Sequence, residues 1–289
     1  MDNPFVSVII PCRNEERWIR QVLDALMRQT WPADRMEVLV VDNGSVDGSR
    51  DIITSYPVQL LIEPEASAYK ARNRAIVSAK GDFLLFLDAD TVPVDHWVEE
   101  LVCTSVEHHF HLVGGRIENV VCRSSLASGL LAQTRSAEVR RLALERTGRL
   151  SGGNMLVTRE AFDRFGLFSE GPSGGDGEFS ERANPQHRPV PYAERAVVRH
   201  QCDISLMDYL RRTRRIQRGQ VAHGSPVFTW GMLRGLLCPG HRRAAETARE
   251  LAPTLRVSSL AIMFFLWLDR WAALFGRVAG YQDRTGRHG

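Results

Sequence analysis

Short apolar runs and amphipathic stretches alternate over residues 5–90 of this chain. Phe5–Ile10 is a β-branched run closed by Pro11, Val38–Val41 stops at Asp42-Asn43-Gly44-Ser45, Val58–Ile62 is a third run, and Phe83–Leu87 ends at Asp88-Ala89-Asp90. Continuous apolar runs bounded by turn residues predict strands buried on both faces. Between the first two, Asn14 is placed to cap a helix with Glu15 and Glu16 in its first turn. Ile19, Val22, Leu23, Leu26 and Met27 then recur at helical spacing on one inward face, which Trp31-Pro32 ends. A short helix carrying Ile52 and Ile53, and another over Tyr69–Ala79 with Ile76 and Val77 inward, complete the alternation. That order predicts βαβ units and a parallel sheet.

Beyond residue 90 the pattern loosens. A helix carrying Trp97, Val98, Leu101 and Val102 leads to a strand at Leu112–Ile117. Residues 126–146 read as an amphipathic helix, Gly152–Val157 as a glycine-led strand and Glu160–Phe165 as a short helix. Gly171–Gly177 reads as a mobile glycine-rich loop that contains Asp176. Ala196–His200 is one more strand and Ser205–Val221 an arginine-rich helix. Leu255–Leu268 is apolar, but its run before Asp269-Arg270 is shorter than the roughly 20 residues a membrane span requires. With Trp267, Trp271 and Phe275 extending the stripe, a helix packed on the sheet, a dimer contact and a peripheral membrane-interface helix all stay open.

Composition narrows the class. The chain has 289 residues, 44% hydrophobic and 25% charged, enough for a substantial core. A net charge of +3 gives no case for nucleic acid as a partner. The distribution is less even: residues 195–243 hold ten arginines against only Asp203 and Asp208. Together with the aromatic stripe, this suggests a phosphate-bearing or lipid-linked acceptor. Lysine occurs only at Lys70 and Lys80, so arginine, whose fork matches phosphate, carries nearly all the positive charge. The five cysteines (Cys12, Cys103, Cys122, Cys202 and Cys238) are scattered, which predicts free thiols in a reducing compartment and argues against a zinc site. The first residues lack a basic and apolar signal-peptide pattern, so a cytoplasmic location is expected, with any membrane contact on the inner face of the plasma membrane.

The candidate chemistry sits at the C-terminal ends of the strands, where open α/β sheets place ligands. There the sequence sets Pro11-Cys12-Arg13-Asn14-Glu15 after the first strand, Asp42-Asn43-Gly44-Ser45 after the second and Asp88-Ala89-Asp90 after the fourth. Free N–H groups at Asn14 and in the turn at Gly44 suit a nucleotide. Asp42 suits the donor hydrogens of a base, and Arg72, Asn73 and Arg74 open onto the same edge from their helix. Two carboxylates two residues apart on a strand end repel each other unless a cation lies between them, and a hard divalent cation on a phosphate meets that need.

Taken in order, VSVIIPCRNEE, VLVVDNGSVDG, KARNRAI, GDFLLFLDADT, VGGRI, SGGNMLVTREAF and GGDGEF resemble the inverting family 2 glycosyltransferases of GT-A fold, over residues 5 to about 220. The resemblance implies an α/β fold, a Rossmann-like mostly parallel sheet flanked by helices, with a C-terminal helical extension. It implies a glycosyltransferase domain over residues 1–222, with a nucleotide-sugar half to about residue 115 and an acceptor half from 116, then an extension over 223–289. It implies that Pro11, Arg13, Glu15, Asp42, Ser45, Arg72, Asn73, Asp88 and Ala89 contact a UDP-, GDP- or dTDP-linked sugar. Asp90, with Asp88 and His200, is implied to hold Mn2+ or Mg2+, and Asp176 to act as general base on an acceptor hydroxyl. Gly153, Asn154, Gly175 and Glu178 fall on the acceptor or sugar side. The chain departs from the family where Gly175 replaces the Glu that usually precedes the base. It also lacks the Gln-x-x-Arg-Trp motif of processive synthases, so transfer of one sugar is expected, with a homodimer as a further expectation.

Two rivals use the same residues. An apolar strand before Asp-x-Asp-x-Thr also resembles haloacid-dehalogenase-like phosphatases, with Asp88 as nucleophile. Those need a lysine after the motif, and both lysines precede it here. A sugar-1-phosphate nucleotidyltransferase needs a glycine-rich phosphate loop with a basic residue after the first strand, which this sequence lacks. A non-catalytic nucleotide-sugar binder stays open, with Gly175 as its one hint.

Overall fold

The computed structural model describes residues 3–121, 125–224 and 259–285. Cys122, Cys238 and the start of the apolar run at Leu255 lie outside them. The chain divides into two compact units. The first holds residues 1–120, 135–170 and 175–201, and the second residues 121–134, 171–174 and 202–289.

The first unit is built on one sheet of eight strands in the order β3-β2-β1-β4-β7-β6-β8-β5. Its strands are β1 (Val6–Cys12), β2 (Met36–Asp42), β3 (Gln59–Ile62), β4 (Phe83–Leu87), β5 (Thr91–Pro93), β6 (Leu112–Val120), β7 (Asn154–Thr158) and β8 (Tyr192–Gln201). β3, β2, β1 and β4 run parallel, as the alternation of runs and helices predicts. β7 enters antiparallel between β4 and β6, while β8 pairs parallel with β6.

Both faces of the sheet are covered, which is why its strands read as unbroken apolar runs. Val8, Ile10, Val38, Val40, Leu85 and Leu87 pack with α1 (Ile19–Met27) and α4 (Trp97–His108). Their neighbours Ile9, Leu39, Val41, Leu84 and Phe86 point to the other face. There they meet α3 (Ala68–Ser78), α7 (Arg159–Phe165) and α8 (Gly175–Ala183). Phe86, Phe162, Phe168 and Phe179 form a ring cluster in this layer, with centroids 4.8–6.0 Å apart and all these contacts edge-on except the tilted Phe162–Phe179 pair.

Several expectations are corrected. The first helix begins at Ile19, and Asn14 instead adopts φ 55° in the preceding turn. Met27 and Val77, read as inward, are 42% and 73% exposed, because each lies at the rim of its helix's apolar arc. The single helix expected over 126–146 is two, α5 (Leu126–Thr134) and α6 (Ala137–Thr147), because Ser136 caps the second by accepting from Val139 N–H. Asp176 lies in the first turn of α8 rather than in a glycine loop, where its charge suits a helix N-terminus. The three-residue strand β5 was not foreseen; it is too short to carry a period.

Among its described residues the second unit packs three helices, α5, α9 (Leu206–Ala222) and α10 (Ser259–Thr285), around Leu130, Leu131, Tyr209, Ile262 and Phe265. Gly276 and Gly280 press α10 onto the Arg214 and Arg218 carbonyls of α9, where a Cβ would collide. Thr213 and Arg218 add hydrogen bonds to Asp269 and Asp283. Among the described residues, no helix is long and apolar enough to cross a membrane.

Candidate active site

All of the candidate site lies in the first unit, and its first part stands at the C-terminal ends of β1, β2 and β4. Two loops form one wall. The Asn14 N–H donates to Ser45 Oγ at 2.9 Å, the Val46 N–H to Asn14 Oδ1 at 2.9 Å, and the Glu15 N–H to Ser49 Oγ at 2.8 Å. Pro11 is the last residue but one of β1 and half-buried, while Arg13 just beyond the strand is exposed. Asp42, fully buried, accepts from Ser45 N–H and from Arg50 Nε at 2.7 Å. Burial alone would raise its carboxyl, but the Ser45 and Arg50 hydrogen bonds hold it below the usual carboxylate range. Arg50 carried no sequence signal beyond a solvated charge.

A second set of contacts meets at the turn Ser151-Gly152-Gly153 before β7. Arg72, 5% exposed, reaches Asp88 Oδ1 at 2.7 Å and the Gly152 carbonyl at 3.4 Å. The Gly152 N–H donates to Asp176 Oδ2 at 2.6 Å. A Cβ on Gly153 would lie 2.8 Å from Asp88 Oδ2, so the turn needs glycine to admit that carboxylate. Ala89 is buried between the two aspartates.

β5 completes the set. Thr91 pairs with His200 across β5 and β8, and Gln201 N–H donates to the Asp90 carbonyl at 3.1 Å. This brings His200 Nε2 to 3.3 Å from Asp90 Oδ2, with Nδ1 3.2 Å from Asn119 Oδ1. Nδ1 donating to Asn119 would leave Nε2 facing Asp90 as a lone pair. Glu15 faces the same aspartates. Burial, then the charges of Asp90 and Asp88, push its carboxyl up to about 8.

The donor set therefore suits a hard cation: carboxylate oxygens in excess, with one imidazole beside them. Among the described residues no group of three or more His, Cys, Asp or Glu side chains forms a ready cage. Cys12, Cys103 and Cys202 are free thiols, and burial pushes Cys12 up to about 12.

Three expected site residues have structural work in the fold. Asn73 is 6% exposed and its amide bonds the Phe168 backbone in both directions, at 2.9 and 3.1 Å. Asn154, 2% exposed, donates to the Arg116 and Ala196 carbonyls and accepts from Trp97 Nε1 at 2.8 Å. Glu178 pairs with Arg182 one turn along α8, at 2.9 Å. Gly175 is buried where its helix meets Tyr69, a residue the sequence reading passed over.

With this geometry in view, comparison with known proteins fixes the class. Residues 7–166 match the model of glycosyl transferase family 2, and the chain belongs to that family: it is a glycosyltransferase. Glycosyltransferase AglE of Haloferax volcanii is 28% identical over 96% of both chains. Mannosyltransferase PcManGT of Pyrobaculum calidifontis, solved with GDP-Man and Mn2+, superposes with a TM-score of 0.61 at 21% identity, over 99% of this chain and 76% of that one. TarS 1-349 of S. aureus, solved with UDP-GlcNAc, gives 0.56 at 18% identity, over 98% and 92%. The fold is GT-A, a curled mostly parallel sheet flanked by helices.

Proposed function

We propose that this chain transfers one sugar from a nucleoside-diphosphate sugar to an acceptor hydroxyl, with inversion and with a divalent cation bound at Asp90. The observation that carries the reading is the meeting of Asp88, Arg72 and Asp176 around one glycine turn, with Asp90 two residues along from Asp88 and set against His200. Two structural neighbours, one solved with GDP-Man and Mn2+ and one with UDP-GlcNAc, support donor and metal classes of this kind.

Asp42, Arg50 and the Asn14–Ser45 wall would hold the base and ribose, with Asp42 accepting from a base N–H and Arg50 donating to a base oxygen. Asp90 and His200, with Asp88, would hold Mn2+ or Mg2+, which offsets charge on the departing diphosphate when bound. Arg72 holds Asp88 turned toward the donor. Asp176 takes the acceptor proton as the hydroxyl attacks the anomeric carbon from the opposite face, a contribution of roughly 10²–10⁴-fold. The backbone N–H of Gly152 holds one oxygen of Asp176 in place for that transfer.

The acceptor reading rests on the second unit. On α10 the rings of Phe264, Trp267, Trp271 and Phe275 follow one another at 5.9–6.1 Å, away from the face bearing Gly276 and Gly280. Phe264 and Phe275 are 59% and 58% exposed. Interfacial aromatics beside an arginine-rich helix suit a peripheral membrane contact and a lipid-linked acceptor. Binding to anionic vesicles that weakens with salt supports this part; equal absence from anionic and neutral vesicles at low salt rejects it.

A panel of UDP-, GDP- and dTDP-sugars, each with and without Mn2+, tests the whole. A bound donor raises the melting temperature. We expect a rise with one nucleotide class, larger with Mn2+ and lost in Asp90→Asn. A wild-type response equal to that of Asp90→Asn contradicts the metal assignment.

A further inference from the structure

The departure at Gly175 and the residue facing it explain each other. Tyr69 is 7% exposed at the start of α3. A Cβ at position 175 would stand 2.9 and 3.0 Å from the Tyr69 ring and 2.6 Å from the Ser169 carbonyl. No larger residue fits there while the tyrosine is present, since real Cβ atoms do not approach a ring or a backbone oxygen so closely. The ring is held from its other side by Phe168, at 6.1 Å between centroids.

The tyrosine's polar end lies at the proposed base. Its hydroxyl donates to Asp176 Oδ1 at 2.7 Å, while Gly152 N–H holds Oδ2 at 2.6 Å. Two donors from two separate segments thus fix both the rotation and the plane of one carboxylate. One turn further along α3, the Arg72 guanidinium lies 5.2 Å from the Tyr69 ring centroid and pairs with Asp88. A single helix therefore touches the acceptor-side carboxylate and the donor-side carboxylate through residues three apart, which share a helix face.

We propose that Tyr69 is a positioning residue for Asp176, and that the Tyr69–Gly175 pair stands in this chain where the family has a Glu before its base. The inference rests on Asp176 being the base and adds the group that aims it. The phenol stays a donor across the working range: burial, then the charge of Asp176, hold it above the ordinary tyrosine value. Orienting a base in this way has kinetic weight, because small misplacements of a reacting group cost about 10²-fold.

Tyr69→Phe keeps the ring against Gly175 and removes only the hydroxyl. Release of nucleoside diphosphate from UDP-GlcNAc and from GDP-mannose with Mn2+ is measured for wild type, Tyr69→Phe, Asp176→Asn and the double variant, with a melting temperature for each. Positioning predicts that Tyr69→Phe lowers kcat about tenfold or more, leaves donor KM and melting temperature unchanged, and adds no loss in the Asp176→Asn background. An unchanged kcat, a loss carried by KM or by melting temperature, or an equal loss in both backgrounds overturns it. Wild-type turnover by Asp176→Asn alone overturns the assignment of the base instead, so the two failures are told apart.

Discussion

Arg72 and Asp88 form an ion pair of 2.7 Å in which the guanidinium is almost wholly buried and the carboxylate 41% exposed. The pair ties α3 to the end of β4, so the exposed face of Asp88 is held toward the cleft. Removing the arginine leaves Asp88 free to turn away and to repel Asp90. Arg72→Met is expected to weaken nucleotide-sugar binding about tenfold or more, a loss of the size that a charge-assisted hydrogen bond carries. Arg72→Lys should rescue little, since an ammonium is more strongly hydrated than the almost wholly buried guanidinium it would replace. Titration calorimetry with the donor that stabilises the wild type measures both.

Asn154 makes the opposite case, a residue of the site motif whose work is in the core. Asn154→Leu would strand the Trp97 indole N–H and the carbonyls of Arg116 and Ala196, all bonded to it now. A loss of about 3 kcal/mol is expected from such orphaned groups, read as a lower urea midpoint with an unchanged slope. A variant as stable as wild type would show that these bonds do not hold β6, β7 and β8 together.

Glycines at two turns should separate stability from binding. A Cβ at Gly81 would lie 2.5 Å from the Ser7 backbone nitrogen, so Gly81→Ala must move β1 or the turn. Overpacking of this kind costs about 1–3 kcal/mol. Gly153→Ala instead pushes on the Asp88 carboxylate. Its expected effect is weaker donor binding with a melting temperature near wild type, checked by pairing denaturation with donor titration.

Asp42 gives a pH prediction with a definite sign. Its carboxyl titrates lower in the folded protein than in the unfolded chain, whose aspartates titrate near about 3.9. The stabilisation is therefore complete above about pH 4 and is lost as pH falls through the lower folded value. Asp42→Asn should be less stable than wild type at neutral pH, and the gap should narrow on acidification. A gap that stays constant down to about pH 3 would mean that Asp42 contributes through shape rather than charge.

Much of this arrangement was legible in the chain. The buried strands announced themselves as apolar runs, and Asp42, Asp88 and Asp90 stood where those runs stop. The residue pattern itself did not show pairing between distant segments, and only the family resemblance set His200 and Asp176 with Asp90. His200 meets Asp90 only because β5, three residues long, pairs with β8. Asp176 joins the cleft through a backbone N–H of Gly152, which carries no side-chain signal at all. Asn73 sits in a motif that suggests the nucleotide, yet its amide holds the Phe168 segment, since a burial pattern does not say which neighbour an amide will find. Tyr69 entered only as the first residue of a helix, and its hydroxyl contact marks it out.

The central claim is that one carboxylate, Asp176, moves the proton while the residues at the ends of β1, β2 and β4 hold the donor. The most direct measurement is Asp176→Asn, assayed for nucleoside-diphosphate release and for donor binding in the same preparation. The account predicts that release falls by about 10²-fold or more while donor affinity with Mn2+ stays at the wild-type value. Wild-type release, or a fall matched by an equal loss of donor binding, would contradict it.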